Sequence, residues 1–244
     1  MKLFEKKYKY TYDYFGNITR KYIVYKILFF KISKRIHTNI LIDGKNNNFL
    51  FGLENGNTEK INNPEILATM GFSLNIVGDN NTITIPKNQI FKSNKIVISG
   101  NNSEFIIKNT KQLIQRSTFI LGNNSKIIIG ENFSSNGINI VAATNTEISI
   151  GNSCMIGRNI HVRTTDGHKI KSCNNGEILN LPKNVKIGNR VWLADNAVVF
   201  KGVVIQDNCA VWINSVVTKQ FEESNCVIAG NPAKIVKRGI TWER

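Results

Sequence analysis

The side chains that could carry chemistry are few in this sequence. The three histidines, His37, His161 and His168, are scattered, and no acidic cluster accompanies them, so the sequence argues against a metal site. His168 belongs to the segment 164–184, TTDGHKIKSCNNGEILNLPKN, which contains Thr165-Asp166-Gly167-His168 and shows no regular pattern. What this segment can do depends on the elements on either side of it.

The four cysteines indicate structural packing and not a reactive centre. They are separated by 19, 36 and 17 residues, and no CxxC pair is present. Two of them fall inside regular repeats, where a small thiol packs as an apolar side chain. We expect all four to be reduced, which is typical of a cytosolic protein: Cys154, Cys173, Cys209 and Cys226.

The segment 185–218 has an aliphatic residue at every sixth position: Ile187, Leu193, Val199, Ile205, Val211 and Val217. A period of six fits neither an α-helix nor an exposed strand. It is typical of a β-helix in which each hexapeptide forms one short side of a coil. The sequence therefore predicts a rigid solenoid that these aliphatic side chains hold together.

A looser repeat of 22 residues precedes the hexapeptides. Gly78-Asp-Asn-Asn, Gly100-Asn-Asn-Ser and Gly122-Asn-Asn-Ser each lead into an aliphatic strand. Glycine and asparagine tolerate left-handed backbone conformations, which favours corners of the coil over ligands. We expect wider, irregular coils over residues 37–143 and regular coils over 144–218.

The six-residue period stops at the segment 164–184 and resumes at Ile187. An insertion that interrupts a solenoid without ending it must project from one side. Projecting loops on rigid repeats are where functional sites are usually built. We therefore expect the chemistry of this protein to lie in the loop 164–184.

Residues 1–36 are basic, and Ile23, Ile27 and Phe30 recur at helical spacing. The pattern predicts a short amphipathic helix, which either caps the open end of the solenoid or lies on an anionic membrane surface. The chain has 32 Lys and Arg against 17 Asp and Glu, a net charge of +15. This charge favours an anionic partner such as a phosphorylated cofactor, an acidic polysaccharide or a membrane surface.

Nucleic acid is a poor candidate for that partner, because no known binding module is present. The first ten residues lack the apolar stretch of a signal peptide, and no apolar run is long enough to span a bilayer. These features predict a cytoplasmic protein, at the inner face of the cell membrane if the basic N-terminal segment binds lipid.

Residues 144–240 resemble the hexapeptide-repeat acyltransferases through VKIGNRVWLADNAV, IQDN, NSVVTK and VIAGNPAKIVKR. The resemblance implies a left-handed parallel β-helix of triangular cross-section. It also implies homotrimers with active sites between subunits and transfer of an acetyl group from acetyl-CoA. The Asp166-Gly167-His168 loop and the renewed IGNRVW are most similar to O-acetyltransferases of sialic acid and capsular polysaccharides.

The resemblance also assigns catalytic roles. The family carries a histidine in a TxxH-type loop, which implies that His168 removes the proton from a sugar hydroxyl. Asp166 is the local candidate to fix the tautomer of that imidazole. The backbone amide of Ala194, where the family usually has glycine, is expected to stabilise the negatively charged thioester oxygen. His161 is expected on the surface or the pocket wall.

For the cofactor, the resemblance places Trp192 beside the acetyl group, although the ring could instead pack at the trimer interface. Trp212 replaces a usual glycine, and it either narrows the pantetheine groove or stacks against the sugar. The other expected CoA contacts, in which basic side chains face the phosphates, are Asn214, Lys219, Ala229, Gly230, Lys234, Lys237 and Arg238. No metal is expected.

Two other functions remain open from the sequence. One is N-acetylation of an amino-sugar nucleotide, and the other is a catalytically inactive β-helix used for binding or as a scaffold. The Asp166–His168 loop and the AGNPAK turn favour an enzyme. The long N-terminal half favours O-acetylation.

Overall fold

The computed structural model describes residues 40–89 and 91–244 in full and the backbone of three strands within residues 5–36. Its body is a left-handed parallel β-helix, which confirms the predicted fold class. Successive strands turn through three faces and pair in parallel with the strands one coil away. The exception in this body is β6 (Thr58–Lys60), which pairs antiparallel with β5 (Asn48–Gly52) at the edge of its sheet. The chain then ends in an antiparallel hairpin and a short tail.

The strands of the three faces run in order along the solenoid. Face 1 consists of β4 (Ile40–Asp43), β7 (Phe72–Val77), β10 (Asn94–Ser99), β13 (Thr118–Leu121), β16 (Ile138–Ala142), β19 (Ile160–Arg163), β22 (Val198–Val199) and β25 (Val216–Val217). Face 2 consists of β5 (Asn48–Gly52), β6 (Thr58–Lys60), β8 (Thr82–Pro86), β11 (Glu104–Ile107), β14 (Lys126–Ile129), β17 (Glu147–Ile150), β20 (Val185–Ile187) and β23 (Val204–Ile205). Face 3 consists of β9 (Phe91–Lys92), β12 (Ile114–Gln115), β15 (Ser134–Ser135), β18 (Met155–Ile156), β21 (Trp192–Leu193), β24 (Ala210–Val211), β26 (Cys226–Gly230) and β27 (Ala233–Arg238). One short helix, α1 (Ile66–Thr69), lies between β6 and β7.

The six hexapeptide aliphatics all point into the core, where none is more than 1% exposed. Ile187, Leu193 and Val199 lie on faces 2, 3 and 1, so one hexapeptide spans one face. The 22-residue repeat corresponds to one wider coil, because Ile83, Phe105 and Ile127 stack in register on face 2. Burial of these aliphatic columns is what makes the solenoid rigid.

The Gly-Asn motifs form corners between faces 1 and 2, as their sequence predicts. Asn80, Asn102 and Asn124 have positive φ angles, a conformation that asparagine adopts more readily than most residues. The side chains also form a ladder, in which Asn102 donates to Asn124 at 3.2 Å. A Cβ atom at Gly78 would collide with the carbonyl of Gly100, so only glycine fits where the coils come closest.

The helix predicted near the N terminus is wrong. The segment forms a three-stranded antiparallel sheet of β1 (Glu5–Tyr12), β2 (Ile18–Ile27) and β3 (Phe30–Ile36). Its sequence is rich in β-branched and aromatic residues, which favour strands, and this preference outweighed the helical spacing. The cap and membrane roles expected of this segment stay predictions, and His37 lies outside the described residues.

Within the residues that the structure describes, no helix is long and apolar enough to cross a membrane.

Candidate active site

The loop 164–184 leaves the solenoid after β19 on face 1, and a charged cluster anchors its base. Lys201 Nζ donates to Asp166 Oδ2 at 2.6 Å and to the carbonyl of Asn180 at 2.9 Å. The amide of Asn180 donates to the same Asp166 oxygen at 2.9 Å. Three residues that are distant in sequence thus join the two ends of the loop to the coil, and we call this cluster the loop lock.

The loop lock reaches His168 through Asn180. The Asn180 amide donates to the His168 carbonyl at 2.8 Å, and Asn180 Oδ1 accepts from Ile170 N at 2.7 Å. Gly167, with φ of 92°, turns the chain just before His168. The backbone of His168 is therefore held in place, while its imidazole is exposed and free to meet a substrate.

Asp166 makes other contacts in this structure than the one expected from the sequence. Its carboxylate binds Lys201 and Asn180, and no hydrogen bond joins it to the His168 ring in the described part of the chain. The hydrogen bond from Lys201 holds the pKa of Asp166 below its usual value. Asp166 is therefore ionised at neutral pH, and its contribution to the loop lock is lost as the pH falls through that lowered pKa.

A groove of about 970 Å³ runs along face 1 beside the loop. His168 and His161 line it together with Arg163, and Ile120 and Val141 give it an apolar floor. His161 Nε2 lies 3.3 Å from Asn159 Oδ1. The groove thus joins a histidine on the loop, a histidine on β19 and a guanidinium group in one cavity.

Sequence reasoning found His161 at this place but missed Arg163. Both residues belong to β19, two positions apart, and alternate residues of a strand point to the same side. The two-residue spacing from His161 could therefore have identified Arg163 from the sequence. Lys201 carried no such signal, because it meets Asp166 only through the coiling of the chain.

Face 3 gathers all three tryptophans of the chain. The ring of Trp192 lies 5.8 Å from that of Trp212 and 6.4 Å from that of Trp242, between centroids. Trp242 Nε1 donates to the Arg190 carbonyl at 2.8 Å, and the Arg190 guanidinium lies 5.6 Å from the Trp242 ring. The tail therefore folds back onto face 3, a contact that the irregular tail sequence did not indicate.

The structure gives the amide of Ala194 a different partner from the one expected. Ala194 N donates to the carbonyl of Val211 at 2.9 Å, as part of the ladder between coils on face 3. A donor already used in this way is not available to an oxyanion. The expected catalytic role of Ala194 is therefore not supported. Its side chain is small, so the turn that carries Ala194 is still narrow.

The other expected cofactor contacts lie at the same end of the solenoid. Lys219, Lys234 and Lys237 are exposed, whereas the guanidinium of Arg238 binds the Glu223 carboxylate at 2.6 and 3.0 Å. Also at this end are Asn214, which has a positive φ, and Ala229 and Gly230 at the close of β26. Three of the four predicted basic contacts are thus free to meet phosphate, and Arg238 is already paired.

In the described ranges, no three His, Cys, Asp or Glu side chains are grouped so that they could hold a metal ion.

Comparison with known proteins identifies the family. No protein-family model matches the sequence. The polysialic acid O-acetyltransferase of Neisseria meningitidis is 36% identical over 191 residues, which cover 78% of this chain and 88% of the relative. This chain belongs to the hexapeptide-repeat O-acetyltransferases. A polysialic acid O-acetyltransferase of Escherichia coli O1:K1 / APEC is also 36% identical, over 104 residues that cover 43% of this chain and 34% of the relative.

Two solved structures resemble this O-acetyltransferase over most of its length. The polySia-specific acetyltransferase NeuO has a TM-score of 0.70 and 28% identity, and the match covers 84% of this chain and 88% of NeuO. The polysialic acid O-acetyltransferase OatWY has a TM-score of 0.68 and 33% identity, with 85% and 92% covered. The chain is therefore an acyltransferase, as its sequence predicted.

Proposed function

We propose that this O-acetyltransferase moves an acetyl group from acetyl-CoA to a hydroxyl of a surface-polysaccharide sugar, such as sialic acid or a capsule or O-antigen unit. The observation that carries the proposal is His168, an exposed imidazole on a locked loop beside a long groove. The relatives that are named for polysialic acid support this class of acceptor.

His168 acts as the general base in this proposal. A sugar hydroxyl is a poor nucleophile, and a neutral imidazole can accept its proton as the oxygen attacks the thioester carbonyl. The C–S bond then breaks, and the imidazolium returns the proton to the departing CoA thiolate. General-base catalysis of this type contributes about 10²- to 10⁴-fold in rate.

The donor fits the C-terminal end of face 3. Trp212 is 48% exposed and Ile213 is 50% exposed, which provides an apolar surface for the pantetheine arm. Lys219, Lys234 and Lys237 are exposed near the same end and offer charge to the CoA phosphates. The oxyanion donor is not assigned to Ala194, and Arg238 contributes only if it leaves Glu223.

The complete site would be shared between two copies of the chain. His168 lies beside face 1, whereas Trp192 lies on face 3 of the same solenoid. The two faces of one chain point in different directions, so His168 and Trp192 of one copy do not converge on one acetyl group. If face 1 of each copy meets face 3 of the next, a ring of three closes and contains three complete sites.

The test of the function is acetyl transfer with purified protein. We expect free CoA to be released from acetyl-CoA in the presence of oligosialic acid or capsular polysaccharide, and the acceptor to gain the mass of one acetyl group. Amino-sugar nucleotides form the comparison arm. Acetylation of an amine in that arm alone, or no acetylation of any acceptor, would reject the proposal.

A further inference from the structure

Arg163 places a guanidinium group in the groove on face 1. It is the last residue of β19 and lies opposite Val141 of β16, on the apolar part of the groove floor. Its side chain is half-buried, and no hydrogen bond or ion pair joins it to another residue in the described ranges. A guanidinium in such surroundings is a ready partner for an anion, because it has lost part of its hydration.

The nearby carboxylate of Asp166 does not pair with the Arg163 guanidinium. Asp166 feels the charge of Arg163, but its hydrogen bonds go to Lys201 and Asn180. The forked N–H groups of Arg163 are thus left for a ligand, and they match the two oxygens of a carboxylate.

A second unpaired group lies in the same groove. The buried Oδ1 atom of Asn139 has no hydrogen-bond partner, and Asn139 stands opposite His161 in the neighbouring coil. A buried acceptor without a donor is uncommon in folded proteins. An unsatisfied polar atom thus lies on the strand next to that of Arg163, under the floor of the groove.

We propose that Arg163 binds the carboxylate of an acidic sugar and so presents the acceptor hydroxyl to His168. This inference rests on the proposed function and adds to it that the acceptor must be anionic. Arg163 is in this view a specificity-determining residue, and it takes no part in the proton transfer.

The experiment compares two acceptors that differ in one group: oligosialic acid and the same oligomer with its carboxylates reduced to alcohols. We expect Arg163→Gln to lower kcat/KM for oligosialic acid about 10- to 100-fold, mainly through KM, and to leave the value for the reduced oligomer nearly unchanged. Arg163→Lys keeps the charge and should recover part of the loss. Arg158→Gln removes an exposed arginine outside the groove lining and should behave like wild type on both acceptors.

The outcomes distinguish a failure of the proposed role of Arg163 from a failure of the proposed function. Equal losses on both acceptors in Arg163→Gln, or no loss on either, overturn the role of Arg163 while acetyl transfer itself stands. If wild-type protein acetylates neither oligomer nor any other sugar hydroxyl, the proposed function fails first. Circular dichroism of each variant shows whether a lost activity reflects a lost fold.

Discussion

Two histidines border the groove on face 1, and they differ in what surrounds them. His168 sits on the loop, where Asn180 holds its carbonyl and its ring is exposed. His161 sits on β19, where its ring lies beside Asn159. Both rings are exposed, but only that of His161 has a hydrogen-bonding neighbour in the described residues, and only His168 stands on the projecting loop. We therefore propose His168 for the proton transfer.

We expect His168→Ala to lower kcat about 10²- to 10⁴-fold, because the hydroxyl then lacks a base. His161→Ala should retain most of kcat and change mainly KM, since His161 forms only the groove wall. Steady-state CoA release on one acceptor measures both. Wild-type turnover by His168→Ala, or the larger loss in His161→Ala, would show that the base has been misassigned.

The four cysteines differ in their burial and therefore in their expected reactivity. Cys154, Cys209 and Cys226 are buried, and burial raises the pKa of Cys154 and of Cys226 to about 12. Cys173 is exposed near the tip of the loop. Because the thiolate is the reactive form, Cys173 alone should react readily with a thiol reagent in the native protein.

Titration with a chromogenic disulfide tests this expectation. It should count one reactive thiol in native protein and four in denaturant, and Cys173→Ser should reduce these counts to zero and three. Fast reaction of a second thiol before unfolding would contradict the described burial.

Among the elements, the loop 164–184 is tied to the coil by the side chain of Lys201. Lys201 belongs to a turn of the coil, and its ammonium group joins Asp166 to the far end of the loop. Without it, the Asp166 carboxylate and the Asn180 carbonyl lose a shared donor, and His168 is held less firmly. Displacement of a catalytic group by about 1 Å can cost as much as 10² in rate.

We therefore expect Lys201→Met to lower kcat about 10- to 100-fold with a smaller change in KM. Lys186→Met, which removes an exposed lysine on face 2, is the matched control and should be neutral. Amide hydrogen exchange at Ile170 and Leu179 gives a readout that does not depend on activity. If exchange in the loop of Lys201→Met matches wild type, Lys201 does not lock the loop.

For the whole molecule, the separation of His168 from the tryptophans is the main constraint. A site shared between copies predicts complementation. His168→Ala and Trp192→Ala chains should each be nearly inactive alone, but mixed trimers should regain one intact site each. If one chain contained a complete site, mixing would restore nothing.

The assay uses co-expressed chains with two different tags, purified through both. His168→Ala mixed with the double variant His168→Ala, Trp192→Ala is the control, and it should stay inactive because every chain lacks the base. Light scattering checks that the active species is a trimer.

The β-helix could be predicted from the amino-acid sequence because its contacts repeat at a short, regular spacing. Each inward aliphatic of the 185–218 segment is one face from the next, so the period itself specifies which side chains are buried. The same regularity made the break at 164–184 visible. In residues 18–36, where no long repeat constrains the pattern, the helical spacing predicted the wrong element.

The details of the site depended on contacts that coiling creates between distant residues. Lys201 meets Asp166 across 35 positions, and Trp242 meets Arg190 across 52. No local pattern encodes such pairs, because each partner is chosen by the number of residues in the intervening coils. For the same reason, the Ala194 amide proved to be part of a ladder between coils. Local periodicity thus determined the fold and the place of the candidate site, and three-dimensional packing determined which of its groups remain free to bind a substrate.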